Sequence, residues 1–343
     1  MKNHYVNWLI TIFIISLTAW IISSSSEIKN IPYLFEITNK RCILVAILCM
    51  ICYWLIDALI IQAIFSLFHL RLSCLSYLLI AMIGQYYNLI TPFSSGGQPA
   101  QILKMTNDFK VNPSLATSVT INKFMVYHIV VTIFSLFLSV FKADFILQQS
   151  TLSKTFIYLG LTLNALGILA IFATCYNTYI AEQIISLFFR IIKNLPVGKK
   201  IRQEAVTRYI HEYRISLFAF LQNIKVLFYV SLLSLAQVFV YFSVTYFVYI
   251  SLGLSKALFV DILAMQALLY IAVNFIPTPG NAGASEGGFY ILFGLFFPSN
   301  ILVYAIVLWR LIVYYFNLVA SGCVVFIDYI FKRLQNSHKF STP

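Results

Sequence analysis

Long unbroken runs of apolar residues, separated by short polar segments, make up most of the chain. Residues 42–68, 224–252 and 301–330 are each long enough to cross a bilayer, since about 30 Å of hydrocarbon takes roughly 20 helical residues. A membrane β-strand would instead alternate apolar and polar residues over about ten positions, so the continuous runs favour helices. They predict six spans, at 6–23, 42–66, 114–141, 155–176, 224–252 and 300–331.

Two further apolar stretches, 74–112 and 257–297, are each interrupted by a segment rich in glycine and proline. The interruptions cover 91–99 and 277–288. Non-helical backbone survives at membrane depth only where protein or water covers its polar groups. We therefore predict two broken, re-entrant helical hairpins, each entering and leaving on one side of the membrane. The residues that mark the breaks are Asn88 and Pro92 in the first hairpin, and Asn274, Pro277 and Pro279 in the second.

Composition excludes a soluble globular protein. Hydrophobic residues make up 61% and charged residues 10% of the 343 positions, and the mean hydropathy is +0.88. A soluble chain is about half apolar and a quarter charged. The predicted fold class is therefore an all-α integral membrane protein, with residues 1–343 forming a single transmembrane domain.

The distribution of basic residues predicts the orientation in the membrane. When both termini are cytoplasmic and each hairpin stays on one side, most Lys and Arg residues lie in inner segments, as the positive-inside rule requires. Counting either interrupted stretch as a full crossing would move basic segments outside. The largest inner segment is the loop 177–223, which has seven basic residues against three glutamates. This loop either docks on anionic headgroups or tRNA, or carries only the charge that sets the topology.

The two interrupted stretches resemble each other. Asn88 begins the segment Asn-Leu-Ile-Thr-Pro, and Asn274 begins the segment Asn-Phe-Ile-Pro-Thr-Pro. Lys123 and Arg310 follow these asparagines by 35 and 36 residues and are the only basic residues deep inside the predicted spans, since Lys225 stands at the very start of its span. On the predicted topology the units 42–141 and 224–331 run in opposite directions, which is an inverted-topology repeat typical of transporters. Chance resemblance is the alternative.

Lys123 and Arg310 are the main candidates for chemistry because each lies about ten residues, roughly 15 Å, into its helix. Ionisable groups near the bilayer centre are costly unless paired or hydrated, and they usually mark a substrate or ion path. Glu286 is the expected partner of one of them, and the pair either helps to bind a phosphate or only fixes helix register. Asp57 and His128 are weaker candidates. No metal-ligand spacing or nucleotide-binding motif is present, so we expect no metal and no cofactor.

Three segments resemble a known family. They are Asn-Leu-Ile-Thr-Pro-Phe-Ser-Ser-Gly-Gly-Gln-Pro-Ala-Gln-Ile from Asn88, Pro-Thr-Pro-Gly-Asn-Ala-Gly-Ala-Ser-Glu-Gly-Gly-Phe from Pro277, and Trp309-Arg310 with Tyr314-Tyr315. In this order they resemble the membrane domain of the lysylphosphatidylglycerol synthase/flippase family, over almost the whole chain. Many relatives carry Glu where Gln98 stands, so a charged role at this position is not expected here.

The resemblance implies a bacterial inner-membrane protein that translocates lysylphosphatidylglycerol or a related phospholipid, which protects against cationic antimicrobial peptides. Full-length members add a soluble domain that transfers lysine from lysyl-tRNA to phosphatidylglycerol. This chain stops at Pro343, so we do not expect it to perform that transfer alone. The alternatives are a lysyltransferase, or the membrane half of one that works with a separate soluble aminoacyltransferase, and a non-catalytic scaffold for envelope assembly.

We expect a lipid headgroup to bind between the two breaks. Charged side chains and the backbone amides of the glycine clusters would hold it. The candidate substrate-binding residues are Lys123, Arg310, Glu286, Gln98, Gly96, Gly97, Gly280, Gly283, Tyr127 and Tyr314. The expected partners are a phospholipid and the bilayer, with no DNA, and tRNA enters only under the lysyltransferase alternative.

Overall fold

The computed structural model describes residues 36–142, 218–274, 276 and 278–339, together with residues 154, 155, 158, 160–162, 165, 166, 169, 215 and 216. Outside this part of the chain lie the predicted span 6–23, most of the span 155–176, most of the loop 177–223, and Pro277. The elements between residues 40 and 339 that the structure describes are all helical. The predicted all-α fold is therefore confirmed for these residues.

Four α-helices form the first half of the described chain. Helix α1 covers Lys40–Leu67, α2 covers Cys74–Ile90, α3 covers Gly97–Asn107 and α4 covers Pro113–Phe141. A 3₁₀ turn at Pro92–Ser94 separates α2 from α3. Polar side chains begin the helices: Asn39, Ser73 and Asn112 each accept a backbone N–H of the first turn of α1, α2 and α4.

The second half repeats this order of long, short, short and long helices. Helix α5 covers Ile224–Ser251, α6 covers Phe259–Val273 and α7 covers Ala284–Phe293, with a 3₁₀ turn at Pro279–Asn281 between α6 and α7. The last long helix consists of α8 (Ser299–Arg310), a π-helical segment (Leu311–Phe316) and α9 (Asn317–Lys339). The gaps between the short helices overlap the predicted interruptions 91–99 and 277–288, where proline and glycine prevent a continuous helix.

Helices α1 and α5 lie side by side and run antiparallel. The N–H of Asn39, before α1, donates to the carbonyl of Ser251, at the end of α5, over 2.8 Å. At the opposite end of the pair, Phe65 of α1 and Val230 of α5 belong to one buried cluster. The first helices of two inverted units must run antiparallel, so this pairing is the one that an inverted repeat requires.

The other helix contacts are also matched between the halves. Within each half, the first long helix packs on the first short helix and on the last long helix: α1 on α2 and α4, and α5 on α6 and α8. Between the halves, the last long helix of each packs on the first short helix of the other: α4 on α6, and α9 on α2. The two 3₁₀ turns contact each other. The α2–α3 hairpin and the α6–α7 hairpin therefore meet at their tips. The repeat of 42–141 and 224–331 remains a prediction, which these contacts favour.

The outer faces of the long helices are apolar. Leu44, Leu48, Ile51, Leu55 and Leu59 form an exposed stripe along one face of α1. Small and polar side chains face the interior instead; Ser118, Asn122, Ser135, Ser234 and Thr245 are fully buried. This arrangement suits helices that pack against each other in lipid. In the described part of the chain, four helices are long and apolar enough to span a membrane: Lys40–Leu67, Pro113–Phe141, Ile224–Ser251 and Ser299–Leu334.

Salt bridges join helix ends at both ends of the bundle. At the end where α4 finishes, Lys142 Nζ lies 2.7 Å from Asp261 Oδ1, next to the start of α6. At the end where α4 begins, four residues form one ionic cluster: Lys104, Asp108, Asp328 and Lys332. In this cluster Lys332 Nζ lies 2.6 Å from Asp108 Oδ2, and Lys104 Nζ lies 2.6 Å from Asp328 Oδ1. The cluster therefore ties the end of α3 to α9.

We expect Asp108→Asn to lower the apparent Tm at neutral pH and to have no effect in strong acid. Burial raises the pKa of the Asp108 carboxyl, but hydrogen bonds from Lys104 and Lys332 outweigh it and hold the pKa below its usual value. A depressed carboxyl pKa stabilises the fold above the unfolded-state pKa of about 3.9, and this stabilisation is lost as the pH falls through the folded-state pKa. The measurement is Tm against pH for both proteins in detergent.

Glu36→Gln is the matched control, because it removes the same charge from an exposed residue. We expect its Tm to follow that of the wild type across the pH range. A Tm difference between Asp108→Asn and the wild type that does not shrink on acidification would contradict the assignment of this stabilisation to the ionised carboxyl.

Candidate functional site

In the first break, side chains accept hydrogen bonds from the backbone N–H groups. Asn88 Oδ1 accepts the N–H of Gly97 over 2.8 Å, and Thr91 Oγ1 accepts the N–H of Gly96 over 2.9 Å. A Cβ on Gly97 would lie 2.4 Å from the carbonyl oxygen of Gly84, so α3 returns against α2 closely. The amides of both predicted glycines are therefore used within the hairpin and do not point to a ligand.

The second break is held by Glu286 and Arg310. Glu286 Oε2 accepts the N–H of Gly283 over 2.7 Å and so caps α7. Its Oε1 accepts from Arg310 Nε over 2.7 Å. The Nη1 and Nη2 atoms of Arg310 donate to the carbonyl of Gly280 over 3.3 and 3.2 Å. The predicted partner of Glu286 is thus Arg310, and the pair joins the second break to the last helix.

Aromatic rings surround the Arg310 guanidinium, which is buried. Its Cζ lies 4.9 Å from the ring centroid of Tyr314 and 5.6 Å from that of Trp309. Such contacts stabilise a cation that is removed from water. Tyr314 also donates its hydroxyl to the carbonyl of Leu89 over 3.3 Å, so the last helix contacts the first break as well. Arg310 therefore sits where both breaks and the last helix converge.

The π-helical segment follows Arg310 directly and carries Tyr314. A π segment inserts extra backbone into a helix turn and is frequent at functional sites. Gly280 has φ +57, and a Cβ there would lie 2.1 Å from Cε2 of Tyr314. The Tyr314 ring thus packs on the second break at a position that only glycine can occupy.

A polar cavity of about 130 Å³ opens between the breaks. It is lined by both break regions, by α6 and by the last helix. Its lining residues are Tyr53, Gln85, Asn88, Leu89, Ser94, Tyr241, Gln266, Leu269, Tyr270, Val273, Asn274, Gly280, Asn281, Ser285, Trp309, Arg310, Val313, Tyr314 and Asn317. Among the lining residues that the structure describes, Arg310 alone has a charged side chain, and Glu286 balances its charge.

Lys123 does not line this cavity. Its Nζ lies 2.9 Å from Asp57 Oδ2 on α1, and Gln237 Nε2 lies 3.3 Å from the other oxygen of this carboxylate. The structure therefore places the two predicted cations in two separate, charge-balanced ion pairs. The reason is that α1, which packs beside α4, carries the carboxylate of Asp57 opposite Lys123.

Some of the other predicted site residues line the cavity and some do not. Gly280 and Tyr314 line the cavity, as do the break residues Asn88 and Asn274. Tyr127 lies one layer behind it and is hydrogen-bonded to Tyr53 and Tyr270, which do line it. Five other predicted residues do not line the cavity: Gln98, Gly96, Gly97, Gly283 and Glu286. The break residues Pro92 and Pro279 occupy the first position of the two 3₁₀ turns.

Several lining residues were not predicted from the sequence. Gln266, Trp309 and Asn317 lie within apolar helices and face the cavity. Amide and indole side chains inside a span are costly unless they find a partner in the helix bundle. Their presence in otherwise apolar runs was therefore a usable signal, although it does not reveal which helix they face.

This arrangement defines an all-helical, multi-pass membrane protein with a polar cavity where two broken hairpins meet. The profile of the lysylphosphatidylglycerol synthase TM region matches residues 8–321, so the chain belongs to that family. The chain is also similar to a UPF0104 membrane protein of Archaeoglobus fulgidus, with 25% identity over 286 residues, which cover 82% of this chain and 84% of the relative. Family membership connects the protein to membrane lipids.

Proposed function

We propose that this protein is a flippase that moves lysylphosphatidylglycerol or a related phospholipid between the leaflets of the cell membrane. The observation that carries the proposal is the buried Arg310 in a polar cavity at the tips of both hairpins. A guanidinium is well suited to phosphate. Its burial among membrane-spanning helices is costly, and such residues usually mark a substrate path.

The packing of the two halves supports translocation rather than static binding. The hairpins approach the cavity from the two ends of the bundle, one held by the cluster of Lys104 and Asp328 and the other by the pair of Lys142 and Asp261. Movement of one half against the other would open the cavity to either side in turn. We place both termini in the cytoplasm of a bacterial cell, where transfer of a cationic lipid outward would weaken attraction of cationic antimicrobial peptides.

Within this proposal the headgroup contacts Arg310, and the pair of Lys123 and Asp57 stabilises the packing of α4 on α1. The Lys123 ammonium is already matched by a carboxylate 2.9 Å away. Replacing both members of a buried ion pair by uncharged residues is often neutral for stability, whereas removing one member leaves a buried charge. The two ion pairs are thus expected to respond differently to substitution.

We expect purified protein in proteoliposomes to move fluorescent phosphatidylglycerol and lysylphosphatidylglycerol to the outer leaflet, measured by dithionite quenching. Arg310→Gln should reduce the rate to that of empty vesicles. The double variant Asp57→Asn/Lys123→Gln should translocate at close to the wild-type rate. Lys225→Gln, which removes an exposed positive charge, is the matched control.

Wild-type protein that leaves both lipids as static as empty vesicles do would refute the proposed function. Translocation that persists in Arg310→Gln but is lost in the double variant would indicate that the headgroup contacts Lys123 and not Arg310. Both results require that each variant elutes as a single folded species in detergent.

A further inference from the structure

Two asparagines of the cavity are oriented by partners that can only donate. Asn88 Oδ1 accepts the backbone N–H of Gly97 over 2.8 Å, and Asn317 Oδ1 accepts the indole N–H of Trp54 over 3.0 Å. Because these partners have no acceptor, the carboxamide oxygens must face them. The NH₂ group of each asparagine is then left to the cavity, and no described residue accepts from it.

Further donors line the same space. Gln266 Oε1 accepts from the hydroxyl of Thr245 over 2.7 Å, which leaves its NH₂ group unused in the described contacts. The indole Nε1 of Trp309 is buried and has no partner among the described residues. Arg310 has five N–H donors, of which three are engaged by Glu286 and Gly280. Donors of fixed direction therefore come from the carboxamides of Asn88 and Asn317 and from the guanidinium of Arg310.

The other polar side chains of the lining can either donate or accept, namely Gln85, Asn274, Ser94, Ser285 and the tyrosine hydroxyls. Asn281 Oδ1 is a buried acceptor without a partner in the described contacts. The nearest carboxylate, Glu286, is engaged by Arg310 and Gly283 and is not part of the lining. Leaving buried donors unmatched costs about 1–3 kcal/mol each. A complementary ligand must consequently bring acceptors to the donors whose direction is fixed, those of Asn88, Asn317 and Arg310.

A phosphodiester has this chemistry, because its oxygens all accept and none donates. An ammonium would instead bring only donors against these donors, and a sugar would bring uncharged hydroxyls without the negative charge that suits a guanidinium. The size of the cavity agrees: about 130 Å³ is the volume of roughly four water molecules. This space can hold a phosphate group, and none of the described lining residues is a carboxylate that could pair with a lysyl ammonium.

Resting on the proposed function, we propose that this cavity binds the phosphodiester of a glycerophospholipid and does not read the substituent attached to it. The NH₂ groups of Asn88 and Asn317 and the free N–H groups of Arg310 donate to the phosphate oxygens. Selection is therefore for phosphate over phosphate-free lipids. Phospholipids with anionic, zwitterionic and cationic headgroups should bind alike.

Native mass spectrometry of the purified full chain with defined lipids tests this. The probes share the same acyl chains: phosphatidylglycerol, phosphatidylethanolamine and lysylphosphatidylglycerol, against diacylglycerol and glucosyl diacylglycerol. We expect Kd values of the three phospholipids to agree within about threefold and the phosphate-free lipids to bind at least about tenfold more weakly, since tenfold corresponds to about 1.4 kcal/mol. Equal binding of glucosyl diacylglycerol, or binding of one phospholipid only, would overturn the proposal.

Asn317→Asp tests the donors directly. The carboxylate still accepts from Trp54 but replaces the NH₂ donor by an acceptor, and the Arg310 charge in the same cavity favours its ionised form. We expect at least a tenfold loss of binding for all three phospholipids. Asn223→Asp is the matched control, since Asn223 caps α5 away from the cavity and aspartate caps equally well.

Asn88→Asp provides a second variant of the same design, because aspartate still accepts from Gly97. Unchanged phospholipid binding in both folded variants, judged by a wild-type Tm, would overturn the proposal. Two results separate it from the proposed function. Substituent-independent binding without translocation in proteoliposomes would refute the flippase function alone, whereas translocation of only one headgroup would refute the phosphodiester site alone.

Discussion

Arg310→Lys is expected to abolish lipid translocation even though the positive charge is kept. The guanidinium donates to Glu286 and to Gly280 at the same time, and its fixed fork leaves two more N–H groups for a ligand. A lysine ammonium has three donors on a flexible stem and cannot span both contacts. The measurement is the dithionite assay on proteoliposomes, with a rate at the level of empty vesicles as the expected outcome.

Stability variants separate the ligand contact from the ion pair. Glu286→Gln leaves Arg310 as an unbalanced buried charge, and breaking a buried pair in this way costs about 3–5 kcal/mol. In the double variant Glu286→Gln/Arg310→Gln the charge is balanced again, so we expect a Tm above that of Glu286→Gln. This double variant should still fail to translocate, because the ligand contact is gone.

A translocation rate of Arg310→Lys equal to that of the wild type would show that Arg310 contributes only its charge. Translocation by the double variant would show that the pair of Glu286 and Arg310 serves only to hold the second break. The second result would remove Arg310 from the proposed headgroup contact, whereas loss of function in both variants with an improved Tm in the double variant supports it.

The helices and their breaks could be predicted from local sequence. Long apolar runs determine membrane-spanning helices because hydrocarbon offers the backbone no other partner. Proline at positions 92 and 279 interrupts the helical pattern, since it lacks an N–H and clashes with a preceding turn. The pairing of Glu286 with Arg310 was likewise predictable, because a single acidic residue stood in the second break and needed a partner.

The partner of Lys123 could not be predicted by the same means. Its spacing from Asn88 matches the spacing of Arg310 from Asn274, and equal spacing suggested a shared site. The side that a helix residue faces depends on which helices pack around it, and Asp57 belongs to α1, 66 residues away in the chain. Apolar periodicity carries no information on such long-range contacts.

The orientation of the carboxamides lay equally beyond the sequence. Asn88 and Asn317 offer both a donor and an acceptor, and only the positions of Gly97 and Trp54 decide which end faces the cavity. Ionisable residues were the natural candidates for a phosphate site because charge dominates transfer energies in a membrane. The structure shows that both cations are balanced, so uncharged donors supply most of the remaining binding capacity of the cavity.

Gly280→Ala is expected to lower the apparent Tm by several degrees more than Gly253→Ala does, and to stop translocation. Both glycines have positive φ, +57 and +76, so each alanine carries a backbone cost of roughly 1–2 kcal/mol. At Gly253 a Cβ meets nothing within 4 Å, whereas at Gly280 it would lie 2.1 Å from Tyr314 Cε2. The difference between the variants therefore isolates the contact between the second break and the last helix.

That contact cannot relax without loss at the site. The Tyr314 ring is buried, lies 4.9 Å from the Arg310 guanidinium and is fixed by the hydrogen bond to Leu89, so moving it separates the last helix from the first break. Moving the second break instead withdraws the Gly280 carbonyl that accepts from Arg310. Thermal denaturation in detergent and the dithionite assay measure the two effects. Equal Tm shifts for the two alanine variants, with translocation intact, would mean that the hairpin tips move freely past Tyr314.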